Sequence, residues 1–376
     1  MHAPQSRAKR ARCCVFLLFR GPRFSAGGGA EMDASSAPQF EMLPLTDLQE
    51  IGTAVLINAG VKRTAAEIQI GALLAAELKG HASHGLLRLP RLVRRIRNGV
   101  ANPNSTGKHQ WIGQSLLHVD GGHGLGPVVA QHAIDALSDR LETTGIALAA
   151  ISKSNHIGML AYYAERMAQN GQIAIVLSTS EALVHPYGGR FAMLGTNPIA
   201  IGVPAGERPF VLDMATSKVS MGKIHHYSDT GQELDAGWAL DGKGEPTTDA
   251  TAAKAGAIAP FGGPKGYALG LAFEVLVGAL TQCALGTEVV GTLDSDKLCN
   301  KGDLIFAIKP RSGAASHAIE GYLDAVRSTP AIQPGDTVTV PGDRSAAREA
   351  AIRENGITLP AQLAAELRAL SAGRDV

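Results

Sequence analysis

The sequence is poor in cysteine, in aromatic residues and in net charge, and these shortages exclude several classes of protein. Its 376 residues include four cysteines, Cys13, Cys14, Cys283 and Cys299, and no two have the C-x-x-C spacing of a zinc or redox site. Lys plus Arg number 35 and Asp plus Glu 34, so the formal charge of +1 argues against a nucleic-acid partner and against binding to an anionic membrane surface. The cytoplasm, a reducing compartment, is the simplest expectation for so few cysteines.

Several catalytic sequence motifs are missing as well. There is no P-loop, no H-E-x-x-H and no G-x-S-x-G. The nearest approach to the dinucleotide motif G-x-G-x-x-G is Gly122–Gly126, which runs into Pro127 and is predicted to be a tight turn. No metal site is predicted, because neither close histidine pair has a carboxylate at ligand spacing. These pairs are His81/His84 and His225/His226.

Long hydrophobic runs are also scarce. Near the start, a basic stretch precedes the apolar run Cys13–Phe19, which is far too short to span a membrane. A signal peptide and an organelle transit peptide are alternatives for this head. We predict instead that residues 1–40 are a disordered or mis-assigned head, with Met32 as the true start in the second case. The next longest run, Gly266–Leu280, contains a glutamate and is predicted to be a buried helix, so no membrane span is expected.

Local patterns predict an α/β fold with helical segments at both ends. The 44 glycines are typical of such an enzyme, with many tight turns. Capping boxes at Thr46-x-x-Gln49 and Thr64-x-x-Glu67 predict two N-terminal helices, and Pro127 suits the first residue of a third. The predicted strands are Ile146–Ile151, Ile173–Ser178, Ile199–Val203, Phe210–Asp213 and Leu304–Ile308, and the later helices are Ile157–Ala168 and about 313–328, 344–354 and 360–371.

The string His81-Ala82-Ser83-His84-Gly85-Leu86-Leu87-Arg88 is the first of four stretches rich in reactive residues. His84 and Arg88 are four positions apart, so they would share one face of a helix. Arginine offers a fork of donors that matches a carboxylate, and histidine transfers a proton near neutral pH. Together they would hold and titrate a small carboxylic acid. The alternative is a solvated basic face, since four more arginines follow by residue 97.

The second stretch, Ser154-Asn155-His156-Ile157-Gly158, lies between a predicted strand and a predicted helix. Such loops commonly carry ligands in α/β proteins. His156 would act there as an acid or base, with Asn155 orienting it. Alternatively, Asn155 caps the helix and His156 is a first-turn residue, and the sequence leaves both interpretations open.

The remaining two sets of stretches are turns. Gly195-Thr196-Asn197-Pro198 is rich in backbone donors of the kind that line an anion. Asp213 directly follows a strand, where its carboxylate would accept hydrogen bonds from ribose hydroxyls. Lys265 lies in a glycine-rich loop at a helix start, which is a pattern for binding phosphate. From the residues alone, a plain turn, a helix cap and a surface lysine are the simpler interpretations.

Together these stretches resemble the malate/L-lactate dehydrogenase family that lacks a Rossmann fold. That family also includes ureidoglycolate dehydrogenases, diketogulonate reductases and cyclic-imine reductases. Each motif is weak alone, but six occur in the family's order over about residues 45–371. The motifs are His81-x-x-His84-Gly85-x-x-Arg88, Ser154-Asn155-His156-x-Gly158, Gly195-Thr196-Asn197-Pro198, Asp213-Met214-Ala215-Thr216-Ser217, Gly263-Pro264-Lys265-Gly266-Tyr267 and Pro341-Gly342-Asp343.

The resemblance implies a non-Rossmann malate/L-lactate dehydrogenase-like α/β fold, a homodimer, and NAD or NADP as cofactor. It implies a mixed-sheet NAD(P)-binding lobe over residues 121–310, and a helical, substrate-side domain formed by residues 41–120 and 311–376. By motif, His156 is the general acid/base, with His84 as the alternative. Arg88 would bind the substrate carboxylate, and Asn197 would lie by the active site. The implied cofactor contacts are Ser180, Asp213, Met214, Ala215, Lys265, Pro341, Gly342 and Asp343.

The activity implied by the resemblance is hydride transfer between NAD(P) and a small 2-hydroxy or 2-oxo acid such as malate, lactate or sulfolactate. A cyclic-imine reductase is one alternative, and a non-catalytic nucleotide-binding protein is another. Many members have an aromatic residue four positions after the arginine, where this chain has Leu92, so no single substrate is predicted. Residues 291–303 resemble the sulfolactate dehydrogenase branch, for which a substrate with a second acidic group fits.

Overall fold

A computed structural model describes residues 39–311 and 314–374. Residues 1–38 of the predicted head lie outside the described residues. The strands are β1 Phe40–Leu43, β2 Lys108–Ile112, β3 Leu116–Asp120, β4 Ile146–Ser152, β5 Ile173–Ser178, β6 Ile199–Val203, β7 Phe210–Met214, β8 Ala239–Leu240, β9 Pro246–Thr247, β10 Ala257–Ile258, β11 Gly302–Ile308 and β12 Ile357–Pro360.

Helices flank these strands and occupy both ends of the described chain. They are α1 Leu45–Asn58, α2 Arg63–Leu78, α3 Leu89–Arg97, α4 Gly126–Thr144, α5 Ala161–Gln169, α6 Met221–Asp229, α7 Ala250–Ala253, α8 Pro264–Thr281, α9 Ala314–Arg327, α10 Asp343–Asn355 and α11 Ala361–Ser371. Within residues 39–311 and 314–374, no helix combines the length and apolarity needed to cross a membrane.

A seven-stranded mixed sheet forms the centre, with the strand order β2-β3-β4-β11-β5-β6-β7. β3 and β4 run parallel and the other neighbours run antiparallel. Residues alternate between the two faces of a strand. In β11, Leu304 packs with Val277 of α8, whereas Ile305 belongs to the core formed with α4 and α5. The sheet is therefore a middle layer, with α8 on one face and α4 and α5 on the other.

A second core joins the two ends of the described chain. β1 pairs antiparallel with β12, with Phe40 opposite Pro360. Beside this pair, Leu48 and Leu56 of α1 pack in one buried cluster with Leu367 of α11. The sequence patterns predicted the helices of this cluster but neither strand. The division into a nucleotide lobe and a substrate-side domain stays a prediction.

Two expectations about helices are wrong. Neither capping box forms, because α1 follows Pro44 and α2 follows Lys62, and neither of these residues caps its helix with a side-chain hydrogen bond. Proline fixes the backbone at the first helix entry, so α1 begins before Thr46. In addition, α8 is not a fully buried helix, since Val275 is 56% exposed and Leu276 is 40% exposed. Only one side of α8 packs against the sheet.

Candidate active site

Two histidines from separate stretches of the sequence form the centre of the site. The rings of His84 and His156 have their centroids 5.3 Å apart, with 40° between the ring planes. His84 ends a short 3-10 turn after α2, and His156 lies in the loop between β4 and α5. The fold therefore brings together the two stretches that the sequence marked as candidates for proton transfer.

The turn that carries His84 differs from the expected helix. It consists of two 3-10 turns, Ala82–His84 and Leu86–Arg88, separated by Gly85, which has a non-helical backbone (ψ −149°). The shared helical face predicted for His84 and Arg88 is therefore wrong. Instead, Ser83 links them, because Arg88 Nε donates to its carbonyl oxygen at 2.7 Å and its hydroxyl lies 3.0 Å from His84 Nδ1. The sequence reasoning gave Ser83 no role, although a hydroxyl beside a histidine was a visible signal.

A buried glutamate holds this turn in place through a hydrogen bond. Glu77 of α2 is 7% exposed, and its Oε1 accepts a hydrogen bond from the backbone N–H of Leu86 at 2.7 Å. A Cβ at Gly85 would lie 2.1 Å from the same oxygen, so the close approach requires glycine. Burial raises the pKa of Glu77 to about 7, against the opposing effect of the Leu86 hydrogen bond. This residue was also missed from the sequence.

We expect Glu77→Gln to stabilise the protein above neutral pH and to change little at pH 5. The folded chain keeps the Glu77 proton up to a pH of about 7, whereas the unfolded chain releases it near pH 4.5. The free energy of unfolding therefore falls as pH rises from about 4.5 to about 7. Glutamine keeps an acceptor for Leu86 and removes this loss, which is worth up to ~3 kcal/mol. Thermal unfolding of the variant and of wild type at pH 5 and pH 8 measures this difference in stability. The control is Glu67→Gln on the exposed side of α2, and an equal pH response in both variants would contradict the expectation.

The loop around His156 is held by Asn155. The Asn155 side chain is buried and donates from Nδ2 to the carbonyl oxygens of His123 (2.6 Å) and Gly124 (2.9 Å). Its Oδ1 accepts from Nε of Arg95, a buried residue of α3, at 3.0 Å. Because α5 begins only at residue 161, Asn155 does not cap it, and of the two interpretations the structure favours positioning of the loop. The role of Arg95 could be recognised only from the tertiary structure.

The ring of His156 has a defined tautomer when neutral. Its Nδ1 accepts a hydrogen bond from the backbone N–H of Gly158 at 2.9 Å. A backbone N–H only donates, so the neutral ring carries its proton on Nε2. Burial and the positive charge of Arg88 lower the pKa of His156 well below its ordinary value. The same two causes lower the pKa of His84 to about 3, so both rings are neutral in the free site.

A cavity of about 1080 Å³ lies against β7 and the turn before α10, and neither His84 nor His156 lines it. Its walls include the predicted cofactor residues Asp213, Met214, Pro341, Gly342 and Asp343. These five come from the end of β7 and from the turn before α10, so distant segments converge on one space. The cavity also reaches His81 and Ala161, which flank the stretches that carry His84 and His156.

Hydrogen bonds fix the carboxylates on this cavity wall. Asp213 Oδ2 accepts from the backbone N–H of Ala161 at 2.7 Å, so Asp213 caps the start of α5. Burial raises the pKa of Asp213 to about 6, with the backbone hydrogen bonds of α5 opposing it. Both carboxylate oxygens of Asp343 accept from Arg327, at 2.8 Å and 3.0 Å. Each of the two carboxylates therefore has a defined orientation.

The other predicted contacts lie on neighbouring loops. Asn197 is fully buried, and its Nδ2 donates to Gly270 O (3.0 Å) and to the Glu274 carboxylate (2.5 Å), so its side chain lies against α8. Ser180 Oγ accepts from the Thr196 N–H at 3.0 Å. Ala215 directly follows β7, and Lys265 is exposed in the first turn of α8. The roles assigned to these residues stay predictions.

No metal centre is seen in the described part of the chain, where no three His, Cys, Asp or Glu side chains cluster as ligands.

Comparison with known proteins tests the family resemblance. The family model described as malate/L-lactate dehydrogenase matches residues 43–368. A malate/(S)-sulfolactate dehydrogenase of Methanothermus fervidus is 34% identical over 321 residues, covering 84% of this chain and 93% of that protein. A Pseudomonas aeruginosa Δ¹-pyrroline-2-carboxylate/Δ¹-piperideine-2-carboxylate reductase is 32% identical over 330 residues, covering 87% of this chain and 98% of that protein.

A solved structure agrees with the sequence comparison. The crystal structure of a dehydrogenase from Sinorhizobium meliloti is 49% identical and superposes with a TM-score of 0.85, covering 89% of this chain and 99% of that one. The predicted fold class and the predicted enzyme class are therefore confirmed. The chain belongs to the malate/L-lactate dehydrogenase family.

Proposed function

We propose that the protein transfers a hydride between NAD or NADP and the C2 carbon of a small 2-hydroxy or 2-oxo acid. The observation that carries this proposal is the histidine pair, 5.3 Å between ring centroids, beside a half-buried arginine. Arg88 has no carboxylate bonded to it among the described residues, so it is available for the carboxylate of a substrate. Hydride transfer at the adjacent carbon needs a proton donor or acceptor at the oxygen, and imidazole supplies one.

The cavity fits a dinucleotide cofactor. Its volume of about 1080 Å³ lies at the upper end of the range for small-molecule sites. Asp213 presents a carboxyl group on its wall, which suits ribose hydroxyls, and Gly342 presents backbone at φ +99°. Asp213, Met214 and the turn Pro341–Asp343 would hold the cofactor. When bound, the nicotinamide supplies or accepts the hydride.

Residues of the chain itself then bind the substrate oxygen and transfer a proton to it. In the neutral tautomer of His156, Nε2–H donates to that oxygen and polarises the C=O bond for reduction. Binding of an anionic substrate at Arg88 offsets the positive charge that lowers the pKa of both histidines. Their pKa values therefore rise when substrate is present, and proton uptake becomes coupled to binding. The proton that the oxygen finally takes passes through the His84–His156 pair.

A panel of 2-oxo acids and cyclic imines, each with NADH and NADPH, tests this function. We expect loss of reduced-cofactor absorbance with at least one 2-oxo acid. Turnover of imines alone would favour the cyclic-imine reductase, which the similarity to the Pseudomonas aeruginosa enzyme makes the second candidate. Cofactor binding without any turnover would indicate the non-catalytic nucleotide-binding alternative.

We also propose that the protein is a homodimer that uses the outer face of α8. Leu269, Leu271, Val275 and Leu276 on this helix are 38–56% exposed, and we call their side of the helix the apolar strip. Exposed apolar patches of this kind mark protein interfaces, and homodimer interfaces are the more apolar class.

Val275→Glu is expected to convert the dimer into monomers, because it places a charge in the middle of the apolar strip. Sedimentation velocity would show wild type at twice the 39.1 kDa chain mass and the variant at the single-chain mass. Ile332→Glu is the control, since Ile332 is 97% exposed and lies outside α8. A monomeric wild-type protein would contradict the proposal.

The cytoplasm remains our proposed compartment. Cys283 and Cys299 are both free thiols. Free thiols are typical of proteins from reducing compartments.

A further inference from the structure

Residues 291–298 form a segment without helix or strand, which we call the strap. The strap follows the short turn Gly286–Glu288 and precedes β11. Two side chains from distant parts of the chain hold its backbone, Arg95 of α3 and Glu181 of the loop after β5. An irregular segment that is bound in this way from both sides is a fixed support, although the proposed function gives it no role.

The guanidinium group of Arg95 joins the strap to the loop that carries His156. Arg95 is 5% exposed, and each of its three nitrogens donates to a protein oxygen. Nε donates to Asn155 Oδ1 at 3.0 Å, Nη1 to the carbonyl oxygen of Asp294 at 2.9 Å, and Nη2 to the carbonyl oxygen of Lys297 at 3.0 Å. The first partner directly precedes His156, and the other two belong to the strap.

A second loop of the site is fastened to the same strap. Glu181 directly follows Ser180, which is a predicted cofactor contact. Glu181 Oε1 accepts three hydrogen bonds, from the Thr292 N–H (2.8 Å), the Thr292 hydroxyl (3.1 Å) and the Leu293 N–H (2.9 Å). The strap is therefore bound to the Ser180 loop near its start and, through Arg95, to the His156 loop near its end.

The side chain of Asn155 depends on Arg95. Its Nδ2 donates to the carbonyl oxygens of His123 and Gly124, and Arg95 is the donor to its Oδ1. Without the guanidinium group, Oδ1 would be a buried acceptor that must move to find water or another donor. Because His156 is the next residue, that movement would displace its ring, and a displacement of ~1 Å can cost ~10²-fold in rate.

We propose that Arg95 is a positioning residue, which holds Asn155, and through it the His156 ring, in the place that proton transfer requires. The strap is the support against which Arg95 does this. The inference rests on the proposed function. The cavity residues proposed to hold the cofactor share no hydrogen bond with Arg95, so loss of Arg95 acts on kcat and leaves cofactor binding intact.

Arg95→Met tests the inference with oxaloacetate and pyruvate as substrate probes. The variant should lose ~10–100-fold in kcat, while a fluorescence titration with NADH and NADPH shows unchanged affinity. Arg95→Lys keeps the buried charge but loses the fork of donors, so its loss of kcat should be smaller. Arg94→Met is the matched control, because this neighbouring arginine pairs with Glu366 instead, and it should behave as wild type. Wild-type kcat in Arg95→Met would overturn the inference.

A double-mutant cycle separates positioning from a general loss of stability. If Arg95 acts through Asn155, then adding Arg95→Met to Asn155→Ala lowers kcat no further than Asn155→Ala alone. Independent structural damage would make the two losses multiply, and that result would overturn the inference. Should Arg95→Met fail to fold, the cycle is run with Arg95→Lys, to which the same two outcomes apply.

Nitrogen-15 NMR of the full chain labelled at its histidines gives a readout that does not depend on turnover. The His156 signals are those missing from His156→Ala, and in wild type they should report the Nε2–H tautomer. Arg95→Met should shift or broaden them, and Arg94→Met should not. Unchanged His156 signals in Arg95→Met would overturn the inference and leave the proposed function standing. Shifted signals support the positioning role, even where the panel finds no 2-oxo acid reduced and the proposed function fails.

Discussion

His156→Ala should lower kcat by ~10²–10⁴-fold while the affinity for the cofactor stays within about twofold of wild type. The imidazole is the group proposed to act on the substrate oxygen, and its backbone partner Gly158 fixes Nε2 as the donor. Five of the predicted cofactor contacts line the cavity from other segments, at the end of β7 and in the turn before α10. Steady-state kinetics and a fluorescence titration with NADH and NADPH measure the two effects separately.

A second substitution separates the two roles open to His156. Glutamine places an N–H near the position of Nε2 but exchanges no proton. If His156 serves mainly as a hydrogen-bond donor, His156→Gln retains part of the activity and His84→Gln is the more damaging change. If His156 is itself the acid/base, Gln and Ala at position 156 are equally inactive. Full activity in both His156 variants would remove this residue from the mechanism.

The central strands were predictable because their sequence signal is local. Runs such as Ile173–Ser178 and Ile199–Val203 are apolar and lie between turns, and the structure has strands with the same bounds. The pairing of β1 with β12 was not predictable, since it joins segments more than 300 residues apart and Phe40 is 62% exposed. The exposed face of α8 was missed because an apolar helix looks the same in sequence whether a sheet or a partner surface covers it.

The site could be predicted only as separate stretches. Motif similarity pointed to His84, Arg88 and His156, and the structure brings the two histidine rings together. The residues that hold these stretches in place were missed, because their contacts join side chains to backbone atoms far away in the chain. Arg95 reaches Asn155 across 60 positions, and no local pattern records that hydrogen bond. Sequence reasoning thus finds the reactive groups more readily than the groups that orient them.

Removal of one partner from the buried ion pair Lys301–Asp303 should destabilise the fold strongly. Lys301, just before the central strand β11, is 1% exposed, and Asp303, on that strand, is 0% exposed; the ammonium donates to the carboxylate. Ser178 Oγ, at 3.3 Å, is a weak second partner for the ammonium. Asp303→Ala leaves a buried ammonium without its counter-ion, and we expect it to lower the free energy of unfolding by ~3–5 kcal/mol. Urea denaturation of the full chain measures the loss.

The exposed pair at the other end of β11 supplies the comparison. Lys309 and Glu142 lie 2.7 Å apart with side chains 49% and 71% exposed, so Glu142→Ala should cost only ~0–1 kcal/mol. Lys301→Met added to Asp303→Ala should recover most of the stability, because an apolar side chain replaces the unpaired charge. Equal losses in Asp303→Ala and Glu142→Ala would contradict the argument. Recovered stability without recovered turnover would show that the Lys301 charge, which acts on His156, serves the reaction and not the fold.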